Sequence, residues 1–112
     1  MTEAGSIDYR GALEAVERIL NRGGGPDEVL RAVLEALHVR GVASARVNML
    51  ENRRLVERLA VGEEADRIAA LVGYEGSELG SLELAAEDRA FVERVATLIS
   101  PYVARLQSAA DR

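Results

Sequence analysis

At Gly41 the spacing of apolar residues changes from every third or fourth position to every second. That change most constrains the fold, because a 3.6-residue period belongs to a helix and a two-residue period to a half-buried strand. Before it, Leu13, Val16, Ile19 and Leu20 form one stripe over residues 8–22, and Val29, Val33 and Leu37 form another beyond Pro26. Asp8 suits the N-cap of the first helix, its carboxylate accepting free amides of the first turn. The glycines at 23–25 stop that helix and read as a linker. They follow a helix rather than a strand and lack the lysine and hydroxyl residue of a phosphate-binding loop. Pro26 suits the first position of the second helix, Asp27 and Glu28 its positive end, His38 and Arg40 its negative end, and Gly41 its stop. His38 thus reads as a helix-end residue rather than a metal ligand.

After Gly41, residues 42–50 alternate, with Ala43, Ala45, Val47 and Met49 on one side and Ser44, Arg46 and Asn48 on the other. Residues 51–53 make a turn and 55–61 the returning strand. A one-residue slip there exchanges the faces of Glu57 and Arg58, so the register stays open. Residues 67–74 and 79–84 form a second hairpin about the turn 75–78, although 64–72 also fits a helical period. Gly80 inside the last strand marks a bulge or a close backbone contact. From residue 87 to 105 or beyond runs a long helix carrying two apolar stripes: Phe91, Val95, Leu98 and Tyr102, and Val92, Ala96, Ile99, Val103, Leu106 and Ala110. Pro101 is expected to kink it at Ser100. Two stripes make a face wider than one sheet contact requires, so the second is expected to seek another helix, and Val92, Ile99, Val103 and Leu106 are the expected dimer interface.

Composition removes several function classes. The chain has 112 residues, enough for one domain with its own core, and no cysteine, which excludes disulfides, thiolate metal sites and cysteine nucleophiles. One histidine rules out a histidine-rich zinc site. The net charge of −5 argues against nucleic acid, and four aromatic residues (three Tyr, one Phe) are too few for a base-stacking surface. All 14 basic residues are arginine, a bias that fits a GC-rich genome and carries no functional weight. The absence of a long apolar run or a leader-like start makes a cytoplasmic chain without membrane contact the expectation. No serine lies in a nucleophile elbow, and Glu63–Glu64 and Glu87–Asp88 read as solvated or helix-start charges; Glu14 with Arg18 reads as an i,i+4 pair. No cofactor and no catalysis are expected.

The order of elements resembles a GAF domain. "GPDEVLRAVLEAL" (25–37) with "GVASARVNMLENRRLVERLAVG" (41–62) is similar to that family's early helix and first hairpin. "ALVGYEGSELGSLEL" (70–84) is similar to its late hairpin with a leucine–glycine pair, here Leu79-Gly80, and "EDRAFVERVATLISPYVARL" (87–106) to its closing helix. The family often has proline where Leu71 stands. The resemblance implies an α+β, GAF-like (profilin-like) antiparallel sheet of about four strands, the first and fourth central. Two N-terminal helices and one long C-terminal helix would lie on one face. It implies a single domain over 1–112, with 1–7 a disordered tail and 107–112 a frayed or connector helix end. A full GAF domain carries a long segment between its hairpins that roofs a ligand pocket; here only residues 62–66 connect them. No cyclic-nucleotide signature of the NKFDE type is present, and neither bilin attachment nor methionine sulfoxide reduction has its cysteine. The implied role is a non-catalytic signalling or regulatory module that forms a homodimer through its helices and passes its state to a fused or separate output domain. One alternative is a sensor of a small anion or acid on the polar sheet face, using Arg46 and Asn48 with Arg58 or Tyr74 nearby. The other is a scaffold similar to the Roadblock fold, which needs residues 64–72 to be helical.

Overall fold

A computed structural model describes residues 6–110. Its elements are α1 (Tyr9–Arg22), α2 (Pro26–Val39), β1 (Ser44–Glu51), β2 (Arg54–Gly62), β3 (Ile68–Tyr74), β4 (Ser77–Leu84) and α3 (Arg89–Ala110). The strands form one antiparallel sheet in the order β2-β1-β4-β3, so the first and fourth are central, as the resemblance implied. Residues 68–72 are strand, and residues 63–67 have no regular structure, so the helix a Roadblock-like arrangement needs between the hairpins is not there.

The alternation in β1 decides the two faces. Ala45 opposes Val61 and Leu84, and Val47 opposes Leu59 and Leu82; these positions face α2 and α3 and are buried, apart from the half-buried Val61. Ser44, Arg46, Asn48 and Leu50 occupy the other face. The register left open at the first hairpin is settled by a bulge: Val47 pairs with Leu59 and Asn48 with Glu57, leaving Arg58 as the extra residue. Glu57 therefore shares the face of Arg46 and Asn48. Both hairpins turn through two residues with left-handed backbone, Asn52–Arg53 and Glu75–Gly76, the geometry that matches strand twist. These turns are shorter than the three- and four-residue turns read from sequence. Gly80 lies against β1, where an added Cβ would collide with the Asn48 carbonyl oxygen.

Asp8 caps α1 as expected, its Oδ1 accepting from the Gly11 amide at 3.0 Å. Ile7, expected in a disordered tail, packs half-buried against the core, and the Asp8 amide donates to the Arg40 carbonyl at 3.1 Å. Residues 1–5 of that expected tail and residues 111–112 of the expected connector end lie outside the described residues. His38 Nδ1 donates to the Val42 carbonyl at 2.9 Å, which ties the end of α2 to the chain leading into β1. Glu14 pairs with Arg10 at 3.6 Å, rather than with Arg18.

The long helix carries the main correction. α3 packs on β3 and β4, with α2 beside it on the sheet and α1 against both helices, and both of its stripes are consumed there. The Phe91 ring meets Tyr9 of α1 edge-on at 4.8 Å, and the Tyr102 hydroxyl donates to the Leu20 carbonyl at 3.1 Å. Val92, Ile99, Val103 and Leu106, expected at a dimer interface, are buried in the subunit's own core. The Ala110 side chain is outside the described residues. The wide apolar face is explained by two neighbours within one chain. Pro101 sits inside this unbroken helix, and its missing amide would leave the Thr97 carbonyl without a donor. The Ser100 hydroxyl fills that gap, donating to Thr97 O at 2.8 Å.

Candidate functional site: the open face of the sheet

All three helices lie to one side, so the face of Ser44, Arg46 and Asn48 is left to side chains and to the strap between β2 and β3. That strap joins the two edges of the sheet, three strand spacings apart, about 14 Å. Six Cα steps from Gly62 to Ile68 reach at most about 20 Å, so the strap crosses with little slack. It crosses on the open side, and its Glu64 and Arg67 lock onto β1 and β4.

The result is a continuous polar cluster. Glu64 accepts from Arg46 Nη2 at 3.0 Å and from Arg67 Nη1 at 3.4 Å. Arg67 also donates through Nε to Glu83 at 2.9 Å and through Nη1 to Ser44 Oγ at 3.1 Å. Asn48 Nδ2 bridges Glu83 at 2.9 Å and Ser81 Oγ at 3.0 Å. Arg46 Nε stands 3.1 Å from Glu57 Oε1, close enough to pair the charges but oriented so that no hydrogen bond forms. Packing across the layer is uneven: the Arg67 side chain is 13% exposed and Asn48 only 6%, whereas the Glu57 and Glu64 side chains are 52% and 82% exposed.

Electrostatically the cluster sets two arginines against three glutamates, which leaves one negative charge over. The Arg46 hydrogen bond, reinforced by the charges of Arg67 and Arg46, holds the Glu64 carboxyl below its ordinary value. The Glu83 hydrogen bond holds Arg67 above its ordinary value, against the desolvation that opposes it. Each of the two arginines is held by two carboxylates, Arg46 by Glu57 and Glu64 and Arg67 by Glu64 and Glu83. Among the described residues no group of three or more His, Asp or Glu could hold a metal ion.

Of the four residues expected to bind a ligand, Arg46 and Asn48 do share this face and one hydrogen-bonded cluster. Arg58 does not join them; it is the exposed bulge residue of the edge strand β2 and makes no ion pair among the described residues. Tyr74 is also elsewhere. It ends β3 at the far edge and lines a cleft of about 540 Å³ with Pro26, Pro101, Ala104 and Ala109. Sequence reading missed Glu64, Arg67, Ser81 and Glu83. Ser81 and Glu83 were recoverable, since they alternate with Leu82 and Leu84. Glu64 and Arg67 were not, because the path of the strap is a tertiary fact.

The fold and this face define an α+β protein with a one-sided, four-stranded antiparallel sheet. Compared with protein-family models, with curated proteins and with solved structures, the chain matches none of them. No helix among the described residues is long and apolar enough to cross a membrane.

Proposed function

We propose that the chain is a non-catalytic regulatory module, GAF-like in plan, that works by pairing with a second copy of itself. The carrying observation is where large apolar side chains remain in water. Leu55 and Val56 on β2 and Leu71 and Tyr74 on β3 are exposed, Leu71 by 69%, so both outer strands of the sheet present uncovered apolar surface. The exposed side of α3, by contrast, is polar, with Glu93, Arg94, Thr97 and Arg105. Val39 at the end of α2 is exposed as well, but it stands alone, so we take the pairing surface to lie at the outer strands and their hairpins rather than along the middle of α3. The mutual pairing of Arg46 and Arg67 with Glu57, Glu64 and Glu83 on the open face supports a structural part for these groups. Multi-angle light scattering over a micromolar concentration series tests the reading. A mass rising toward twice that of the chain is expected, and a mass fixed at 12.1 kDa contradicts it.

A second reading, a sensor of a small anion, draws support from one contact. The arginine pair Arg46 and Arg67 already grips a carboxylate, that of Glu64. Titrating a Glu64→Ala variant with a small dicarboxylate by calorimetry tests it: measurable heat of binding supports the reading, and a flat trace removes it.

A further inference from the structure

The two hairpin turns lie at the same end of the sheet, because Met49 near the end of β1 opposes Gly80 near the start of β4. One tip is basic and apolar. Arg53 and Arg54 are exposed and free of ion pairs among the described residues, and Leu55 (53% exposed) and Val56 (39%) follow them on opposite faces of the strand. At the same end, across the sheet, the cleft between Tyr74, Pro26 and the last turns of α3 is apolar and open to solvent. Its neighbours along the chain are acidic: Asp27 and Glu28 follow Pro26, and Glu75 and Glu78 follow Tyr74, all four exposed. The one base in its lining, Arg105, is drawn onto the Tyr102 ring at 4.7 Å. A chain of net charge −5 thus carries a basic, greasy knob and an acid-rimmed, greasy hole at one end of its sheet.

Knob and hole stand on opposite edges of one rigid sheet, so a chain cannot fill its own cleft. We infer that the β1–β2 hairpin tip of one copy docks into the Tyr74 cleft of a second copy, which returns the contact. Because both features sit at one end, a two-fold axis beside that end closes both contacts at once, giving a closed dimer rather than a filament. The reciprocal arrangement doubles the buried surface, which a single two-residue knob needs to approach the size of a stable interface. Arginines from each tip then face glutamates on the rim of the other copy, fixing partner and register.

This inference rests on the pairing reading above and adds the surface. The test uses two charge-reversed forms of the full chain, Arg53→Glu with Arg54→Glu, and Glu75→Arg with Glu78→Arg, in sedimentation equilibrium beside the unaltered chain. Each form alone is expected to dimerise at least about tenfold more weakly, since like charges meet. An equimolar mixture is expected to recover the original association, because one contact is then unaltered and the other reversed on both sides. A monomeric unaltered chain overturns the pairing reading and this surface with it. A dimeric unaltered chain whose altered forms associate as well as it does, or whose mixture fails to recover, overturns this surface alone. Circular dichroism checks that both forms fold; if a double reversal unfolds the chain, Arg54→Glu and Glu78→Arg carry the same test.

Discussion

Arg53 holds a backbone angle of φ 68°, in the left-handed region where a Cβ crowds the following carbonyl. Its neighbour Asn52, at φ 52°, tolerates that region better, and glycine at the second position is what such a turn favours. Replacing Arg53 with glycine is expected to stabilise the fold by roughly 0.5–1 kcal/mol, the relief of strain less glycine's extra freedom when unfolded. Chemical denaturation checks this, and a lower midpoint at unchanged slope contradicts it. Glu64 shows the converse, a residue whose surroundings favour its charge. Its carboxyl is held below the ordinary value of 4.5 by Arg46 and Arg67. A carboxyl depressed in the folded state stabilises the fold above its unfolded pKa, and that contribution is lost as pH falls through the folded pKa. Stability is therefore expected to drop on acidification from about pH 4.5 downward, and a Glu64→Gln variant to drop less over that interval. Melting temperatures of the two forms, measured in parallel from neutral to acid pH, check this; parallel curves contradict it.

At the scale of the element, α3 is where sequence and structure part most instructively. The spacing of Phe91 to Leu106 states how wide an apolar face must be covered; it does not state by what. A helix against a sheet alone leaves a stripe over, whereas one packed against sheet, α1 and α2 leaves none, and the periodicity is identical in both. Replacing Ile99 with alanine is accordingly expected to cost about 2–5 kcal/mol of the subunit's own stability. Denaturation of dilute protein, where association is negligible, shows the full loss; a loss seen only at high concentration contradicts it. The same helix runs through Pro101 because Ser100 supplies the donor that proline lacks. Ser100→Ala is expected to cost about 1 kcal/mol. In a Pro101→Ala background the cost is expected to be smaller, since an amide again serves the Thr97 carbonyl. Equal costs in the two backgrounds contradict the substitution of one donor for the other. The hairpins were more legible. Alternation from Ser44 to Leu50 placed Arg46 and Asn48 on their face correctly. The bulge that sets Arg58 aside leaves no trace in an alternating pattern, because it inserts a residue without changing the chemistry of its neighbours.

For the whole molecule, one asymmetry organises the rest. Three helices cover one face of the sheet, a taut strap and an arginine–glutamate cluster dress the other, and the hairpin end keeps apolar residues in water. The period switch at Gly41 foretells the first of these, since helices and strands in separate runs give an α+β arrangement. The second and third depend on which segments the fold brings together: Glu64 is one acid among 19 acidic residues, and Tyr74 reads as any strand-end tyrosine until α3 arrives beside it. In the proposed dimer the hairpin end is where a second copy binds. Hydrogen exchange of the unaltered chain at dilute and concentrated protein tests that most directly. Protection of amides at 52–56 and 74–78 is expected to rise with concentration while residues 89–99 of α3, away from the cleft, stay unchanged. Exchange that is independent of concentration in both turns, or that slows along residues 89–99 of α3 instead, contradicts it.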